Sequence, residues 1–421
     1  MKCGHALAQR PYIPLNRPGD RERPFICRLA PGEKCLEGEW LDNADAGAHT
    51  LYWSRRGQSG FAAVPLTEHT FRLDGLEDGA EYELYVKSAS GAVSFTRLAR
   101  VGAPPEGALV VNYLHPEDGQ YAFSGRFLCS PSLARLDDGS LVAGMDVFGP
   151  RMAQNLEILF KSRDDGRTWH YLTDLYPFYW SSLFTHRGAL YALGLSTEYG
   201  NLQIARSTDG GVSWSDPSVI LNGSNVLCEN GGMHRAPMHM TAYNGRLYTT
   251  CEYGCWGKGS HLPAILSVRE DADLLDGESW SYTGFLPYEG RWKAETGAQR
   301  DTIEGNIVIA PDGEMYEYMR WSVGKALVLR ADKDDPDRMA EYVGLADMPV
   351  ANSMFRILPW RGRYLLITNR KTALARPDCR CRNVLSLFVS DDLAHWTLLR
   401  DVVNAEREDS QFIGYQYPCP L

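Results

Sequence analysis

The sequence predicts an all-β protein, a six-bladed β-propeller preceded by a small β-sandwich. Three observations predict this fold class. A Trp-containing turn motif returns along the chain at the spacing of a propeller blade. Short apolar runs alternate with Gly- and Asp-containing turns from residue 110 onward, and a separate group of strand-like runs occupies residues 23–101. A repeat of about 40–50 residues is typical of a propeller with one four-stranded blade per repeat.

The turn motif occurs at Ser162–Trp169 and again, 45 positions later, at Ser207–Trp214, both as Ser-x-Asp-x-Gly-x-Thr/Ser-Trp. A shorter copy lies at Ser390–Trp396. The Asp can accept hydrogen bonds from turn amides, the Gly can adopt a positive φ, and the Trp can fill the gap between neighbouring sheets. The motif resembles the Asp box of the sialidase superfamily. That resemblance implies the fold rather than the chemistry, because Asp boxes lie at the propeller rim.

The composition of the chain argues against some classes of binding partner. The chain has 421 residues and a net charge of −10, which argues against nucleic acid and against an anionic membrane surface. It contains no run of 18 apolar residues, and Met1–Asp20 lacks the apolar core of a signal peptide. We therefore expect a cytoplasmic protein with no membrane insertion. The sequence does not predict the oligomeric state.

The ten cysteines are scattered, with close pairs only at Cys251/Cys255 and Cys379/Cys381. Without an export signal they are expected to be reduced thiols. Neither pair has a His partner at zinc-finger spacing, so we expect no metal and no other cofactor.

The predicted organisation is an N-terminal arm (1–22), a sandwich (23–101), a linker (102–109) and a propeller (110–421). The run Leu76–Val86 resembles the Leu-x-Pro-Gly-x-x-Tyr-x-x-x-Val signature of fibronectin type III domains. The resemblance implies that Tyr82 packs at a corner of the sandwich and bonds to the chain upstream. The propeller region is long enough for six blades of about 50 residues. Because the chain stops at Leu421, we expect the last blade to lack its final strands.

A candidate catalytic pair flanks a predicted hairpin. Glu304 precedes Arg320 by sixteen positions, and Asp312-Gly313 forms the turn between them. Two strands joined by a tight turn bring their far ends side by side, so Glu304 and Arg320 should meet. Sialidase-like glycosidases resemble the chain in this spacing, and the resemblance implies that the Arg binds a substrate carboxylate and the Glu is the base for a Tyr nucleophile. The alternative is a surface salt bridge.

Tyr417 stands where that family has its nucleophile in the last blade. A phenol with a depressed pKa beside a Glu can attack an anomeric carbon, and a neutral nucleophile avoids repulsion by an anionic sugar. Alternatively, Tyr417 is an ordinary strand aromatic.

Two departures from the family pattern are visible. Cys129 replaces the first Arg of the carboxylate-binding triad, and Met152–Leu156, where the family has its acid/base Asp, contains no acid. Asp146 is the nearest carboxylate upstream and is our candidate for that role. Arg356 and Arg370 lie at predicted strand ends and are candidates for a third substrate-binding Arg. If each pairs with a surface carboxylate instead, it implies no ligand.

His234, in a Gly-rich segment before a strand, is a further catalytic candidate because histidine titrates near neutrality. The alternative is a hydrogen-bonded loop histidine. Glu198 and Glu252 each belong to a Glu-Tyr-Gly at a strand end and, with Trp256, are predicted to bind substrate.

These observations favour a glycoside hydrolase of sialidase-like fold that acts on a terminal sugar, anionic or deoxy, with a carbohydrate as its partner. One alternative is a non-catalytic propeller that binds glycan or protein; another is a propeller rhamnosidase or polysaccharide lyase. Convergence of Glu304, Arg320, Tyr417 and His234 in one pocket would favour an enzyme.

Overall fold

The computed structural model describes residues 23–224, 231–256, 260–287, 302–372, 382–408 and 413–421. The predicted arm (1–22) and the Cys379/Cys381 pair lie outside these residues. The described chain is built of β-strands, with a short 3-10 turn at Gly277–Ser279. In these stretches no helix has the length and apolarity needed to span a membrane.

The first seven strands form two sheets. One contains β1 (Phe25–Gly32), β2 (Cys35–Leu41) and β5 (Thr70–Asp74), in the order β1-β2-β5; the other contains β3 (His49–Arg55), β4 (Ala62–Leu66), β6 (Glu81–Ser88) and β7 (Arg97–Arg100), in the order β4-β3-β6-β7. Both sheets contribute to one apolar core, for example Leu36 from β2 and Leu84 from β6.

Strand β6 illustrates why these residues form a sandwich. Its burial alternates with period two, so that Tyr82, Leu84 and Val86 face the core while the intervening residues do not. The Tyr82 hydroxyl accepts a hydrogen bond from the Glu77 backbone N–H at 2.9 Å. This is the corner contact expected from the sequence, and it ties the start of β6 to the preceding turn.

The remaining strands form five antiparallel sheets, in which strands adjacent in sequence are neighbours and both β16 and β17 pair with β18. They are, sheet by sheet, β8 (Phe127–Arg135), β9 (Leu141–Phe148), β10 (Glu157–Ser162) and β11 (His170–Leu175); β12 (Tyr179–His186), β13 (Ala189–Leu195), β14 (Leu202–Ser207) and β15 (Ser218–Leu221); β16 (Gly232–His234), β17 (Thr241–Tyr243), β18 (Arg246–Cys255), β19 (Ser260–Arg269) and β20 (Trp280–Tyr282); β21 (Ile303–Ile309), β22 (Met315–Ser322), β23 (Lys325–Ala331) and β24 (Glu341–Asp347); and β25 (Arg356–Trp360), β26 (Arg363–Asn369), β27 (Val384–Ser390) and β28 (Thr397–Asn404).

Successive sheets pack through their early strands. Strand β12 contacts β8, β21 contacts β18, and β25 contacts β21. Side chains also bond across these contacts: the Leu183 N–H donates to Ser132 Oγ at 2.7 Å, and the Ile357 N–H donates to Asn306 Oδ1 at 3.0 Å. The protein is therefore an all-β propeller, as the sequence predicts.

Five blades lie within the described residues, and the total of six stays a prediction. The blades begin at Phe127, Tyr179, Gly232, Ile303 and Arg356, so every interval exceeds the 50 residues assumed from the repeat.

The Trp-containing turns have the predicted geometry. In the first, Asp164 accepts hydrogen bonds from the Thr168 backbone N–H (2.9 Å) and hydroxyl (2.7 Å), while Gly166 has a φ of 85°. Trp169 is buried in the core of the first blade and donates its indole N–H to the Gly166 carbonyl at 3.0 Å. The copies at Ser207–Trp214 and Ser390–Trp396 repeat the Asp contacts. The turns connect the third and fourth strands of their blades.

The sandwich packs directly against the first blade. Phe25 and Cys27 of β1 belong to the same apolar cluster as Trp169. Arg97 of β7 and Asp118 form an ion pair in which both side chains are fully buried. The segment between sandwich and propeller is thus anchored to the sandwich.

Candidate active site

Glu304 is the centre of the candidate site. Strand β21 has an irregular register between Ile303 and Asn306, and Glu304 within it has a φ of 60°. A β-bulge of this kind re-aims a side chain. Arg320 Nη1 donates to both carboxylate oxygens of Glu304, at 3.0 and 3.2 Å, and the Tyr417 hydroxyl donates to Oε1 at 2.6 Å. The hairpin thus joins Glu304 to Arg320, and the C-terminal segment brings Tyr417 to the same carboxylate.

Two contacts fix the segment that carries Tyr417. The Tyr415 backbone N–H donates to the Arg382 carbonyl at 2.7 Å, and Arg356 Nε donates to the Pro418 carbonyl at 3.2 Å. Burial and the neighbouring Glu304 carboxylate raise the pKa of the Tyr417 phenol well above its ordinary value. The depressed pKa expected from the sequence is therefore wrong, because enclosure of the phenol outweighs the influence of the nearby arginines. Tyr417 keeps its proton at neutral pH.

A second arginine stands beside this pair, and the sequence reasoning missed it. The Arg382 guanidinium lies 5.8 Å from the centre of the Tyr417 ring. Asn352 holds both arginines: its Oδ1 accepts from Arg320 Nε at 2.7 Å, and its carbonyl accepts from Arg382 Nη2 at 3.2 Å. Arg382 also donates to Gln416 Oε1. No sequence motif surrounds Arg382, and only the folded C-terminal segment brings it to Tyr417.

Glu252 and His234 extend the contacts from Glu304 into the third blade. Glu252 Oε1 accepts the Glu304 backbone N–H at 3.0 Å, and Glu252 Oε2 lies 3.0 Å from His234 Nδ1. Burial lowers the pKa of His234 to about 3, so the imidazole is neutral at physiological pH rather than titrating near neutrality as expected. The side chain of Glu252 has no exposed surface. In this structure Glu252 contacts His234 and the Glu304 backbone, and its predicted contact with substrate stays a prediction.

Glu198 forms a second set of contacts with an aromatic side chain. Its Oε1 accepts from Trp256 Nε1 at 3.0 Å, and its Oε2 accepts from Gln154 Nε2 at 2.6 Å. The Tyr199 hydroxyl accepts the Trp256 backbone N–H at 2.9 Å. Trp256 is 46% exposed yet held at both its ring and its backbone. It lies edge-on to His234, with ring centres 5.6 Å apart.

Asp146 lies next to Cys129 but is enclosed. Cys129 and Glu157 are its cross-strand partners in β8 and β10. Asp146 is 1% exposed, and burial together with Glu157 raises its pKa well above the ordinary value. Because its oxygens are covered, Asp146 cannot reach a substrate in this conformation, contrary to the sequence expectation. Among the described residues, no group of three or more His, Cys, Asp or Glu side chains is arranged to hold a metal ion.

A model of the BNR repeat-like domain family matches residues 183–419, more than half of the chain. The chain belongs to this family. The matched region of the BNR repeat-like chain includes Glu304, Arg320 and Tyr417. A search of curated proteins found no match.

Several solved structures resemble the BNR repeat-like chain at low identity. A Hadza microbial sialidase is 13% identical with a TM-score of 0.47, over 93% of this chain and 89% of the other. An arabinobiose complex of a Penicillium chrysogenum alpha-L-arabinanase is 15% identical with a TM-score of 0.44, over 64% and 80%. An ulvan lyase of polysaccharide lyase family PL25 is 12% identical with a TM-score of 0.43, over 89% and 82%. At these identities and TM-scores, the activities of these proteins do not indicate the chemistry of this chain.

Two of the predicted substrate-binding arginines, Arg356 and Arg370, form hydrogen bonds with other parts of the protein. Arg356 is 2% exposed and donates to the carbonyls of Pro237 and Pro418. Arg370 forms a bidentate ion pair with Asp401, with both contacts at 2.9 Å. Each does lie at a strand end, but that position does not specify the direction of the side chain. Arg356 therefore holds the backbone next to Tyr417, whereas the Arg370 side chain binds Asp401.

Proposed function

We propose that this protein is a glycoside hydrolase that acts on a terminal sugar, with Tyr417 as nucleophile and Glu304 as its base. The observation that carries the proposal is the 2.6 Å hydrogen bond from the Tyr417 hydroxyl to Glu304 Oε1. The phenol is neutral, so it needs a base as it attacks. Glu304 is already within the distance required of a general base.

The arginines indicate the substrate. Arg320 pairs with Glu304, the carboxylate that accepts the Tyr417 hydroxyl, and the Arg382 guanidinium lies 5.8 Å from the centre of the Tyr417 ring, so two cationic side chains border the phenol. Guanidinium groups favour carboxylate and phosphate ligands. A phenol attacks an anionic sugar without the repulsion that a carboxylate nucleophile would experience. We therefore propose a terminal sugar that carries an acidic group, bound with its anion toward Arg320 and Arg382 and its anomeric carbon toward Tyr417.

A panel of 4-methylumbelliferyl glycosides tests the proposal. Neutral sugars, uronic acids and sialic acid would be offered to the purified full chain. Tyr417→Phe removes only the nucleophilic oxygen and should abolish release of the fluorophore. Tyr415→Phe, the same change two positions away, should not. Absence of turnover on every glycoside and on native oligosaccharides, or full activity of Tyr417→Phe, would contradict the proposal and leave a glycan- or protein-binding propeller, a rhamnosidase or a lyase to be considered.

We further propose that the N-terminal sandwich is a fibronectin type III-like domain. Its strand order, three strands against four, and the hydrogen bond between Tyr82 and the Glu77 backbone support this assignment.

A further inference from the structure

A glycosidase that works through Tyr417 and Glu304 still needs a proton donor for the leaving group. The Glu304 carboxylate is engaged with the phenol and with Arg320. Gln154 lies in the Met152–Leu156 segment, where the sequence offers no acid. On the basis of the proposed function, another side chain of the site must supply this proton.

The carboxyl groups that could donate this proton differ in how far they are buried. Asp146 and Glu157 are each 1% exposed, and Glu252 and Glu317 are 0% exposed. Glu198 is 9% exposed and bonds to Trp256, which is 46% exposed. Among these five, Glu198 alone combines partial enclosure with a neighbour at the surface. Of these five carboxyl groups, Glu198 therefore lies nearest to an exposed aromatic surface.

The contacts of Glu198 leave it able to hold a proton. Gln154 Nε2 and Trp256 Nε1 each donate to one carboxyl oxygen, so two of about four lone-pair positions are used. Gln154 is itself fixed, because its Oε1 accepts from the Tyr179 hydroxyl at 3.0 Å. Burial raises the pKa of Glu198, which favours the protonated form that an acid catalyst requires.

A series of contacts connects Glu198 to Tyr417. Trp256 donates to Glu198, and its ring centre lies 5.6 Å from that of His234. His234 contacts Glu252 at 3.0 Å, Glu252 accepts the Glu304 backbone N–H, and Glu304 accepts the Tyr417 hydroxyl. The site thus contains a nucleophile with its base and a further enclosed carboxyl group, that of Glu198.

We propose that Glu198 is the general acid and base of the reaction. In the first step the Glu198 proton passes to the glycosidic oxygen as the bond from that oxygen to the anomeric carbon breaks. The Tyr417 oxygen bonds to the anomeric carbon, and its proton passes to Glu304. In the second step the Glu198 carboxylate takes a proton from water, the water oxygen bonds to the anomeric carbon, the bond to Tyr417 breaks, and Glu304 returns the proton to Tyr417.

Leaving-group dependence tests this role. Glu198→Gln keeps the shape and the acceptor oxygen but cannot donate an acidic proton. Two substrates with the same sugar would be compared, one with a 2,4-dinitrophenyl group that leaves without protonation and one with a methyl group that does not. We expect kcat/KM to fall about 10²- to 10⁴-fold on the methyl glycoside and far less on the dinitrophenyl glycoside. Azide, which needs no base, should restore the second step.

Asp146→Asn is the matched control, since it makes the same acid-to-amide change at the rival carboxyl group. It should affect both substrates equally. Equal slowing of both substrates by Glu198→Gln would overturn the proposal, as would leaving-group dependence in Asp146→Asn instead. If the wild type turns over the dinitrophenyl glycoside and Tyr417→Phe does not, the proposed function stands. In that case a result against Glu198 overturns only the assignment of Glu198 as acid and base. If the wild type turns over neither substrate, the proposed function fails and this inference fails with it.

Discussion

The Tyr417 hydroxyl and Glu304 Oε1 are 2.6 Å apart, although 113 positions separate the two residues in the sequence. Both have left-handed backbones, with φ of 61° and 60°. For residues other than glycine such a conformation costs on the order of 1–3 kcal/mol and persists only where the surroundings enforce it. Glu252 bonds to the Glu304 backbone, and Arg356 holds Pro418 next to Tyr417. Contacts within the protein thus hold the pair together.

Glu304→Gln should reduce turnover about 10²- to 10⁴-fold, because an amide fills the same space but cannot accept the Tyr417 proton. Initial rates on the best glycoside of the panel would measure the loss, and thermal unfolding would show whether the fold is intact. An unchanged rate would exclude Glu304 as the base.

Arg382→Met should weaken binding of an anionic glycoside about 10- to 150-fold. A hydrogen bond to a charged group contributes about 1.5–3 kcal/mol, and 1.4 kcal/mol corresponds to a factor of ten. KM for a neutral glycoside should change little. Arg370→Met is the control, since it removes the same charge from the ion pair with Asp401. Equal effects of both variants would show that Arg382 has no specific role.

Aryl sialosides should be poor substrates. Cys129 stands where the sialidase pattern has the first of three carboxylate-binding arginines. A thiol cannot replace a bidentate guanidinium. A direct comparison of sialosides with uronides and other acidic sugars would check this expectation. Rapid release of sialic acid by the purified chain would refute it.

Trp169→Ala should lower the free energy of unfolding by about 3–5 kcal/mol, the usual loss when a large buried aromatic is removed. Trp169 is 7% exposed within the first blade, whereas Trp360 is 41% exposed. Trp360→Ala is therefore the control and should cost much less. Denaturant unfolding of both variants measures the difference, and similar losses would argue against a structural role for the Trp of the turn.

Glu317→Gln should stabilise the protein more at pH 8 than at pH 4. Burial and the neighbouring Glu252 raise the pKa of Glu317 well above its ordinary value. The folded state therefore favours the protonated acid, so the wild type loses stability as pH rises above the unfolded pKa of about 4.3. Glutamine has no charge to bury. Melting temperatures of both proteins at the two pH values would show the effect; a difference independent of pH would contradict it.

Contacts between residues that are close in the sequence could be predicted more readily than contacts between residues that are far apart in it. The bonds of Asp164 reach only to Thr168, and Glu304 meets Arg320 across one hairpin, so local patterns predict both. Arg382 becomes a neighbour of Tyr417 through tertiary packing that no local pattern encodes. The Glu-Tyr-Gly pattern indicates Glu198, but not its contact with Gln154, 44 positions away. Arg356 shows the converse error, because its side chain turns inward to Pro237.

The buried ion pair of Arg97 with Asp118 makes the predicted linker at 102–109 a poor place to divide the chain. Asp118 belongs to the propeller side of that linker, yet its charge is compensated from the sandwich. A propeller expressed alone would contain an enclosed carboxylate without its cation, which typically costs about 3–5 kcal/mol. It would also lack Phe25 and Cys27, which belong to the apolar core around Trp169. We therefore expect the sandwich and the first blade to unfold together, and a propeller without the sandwich to be less stable than the whole chain.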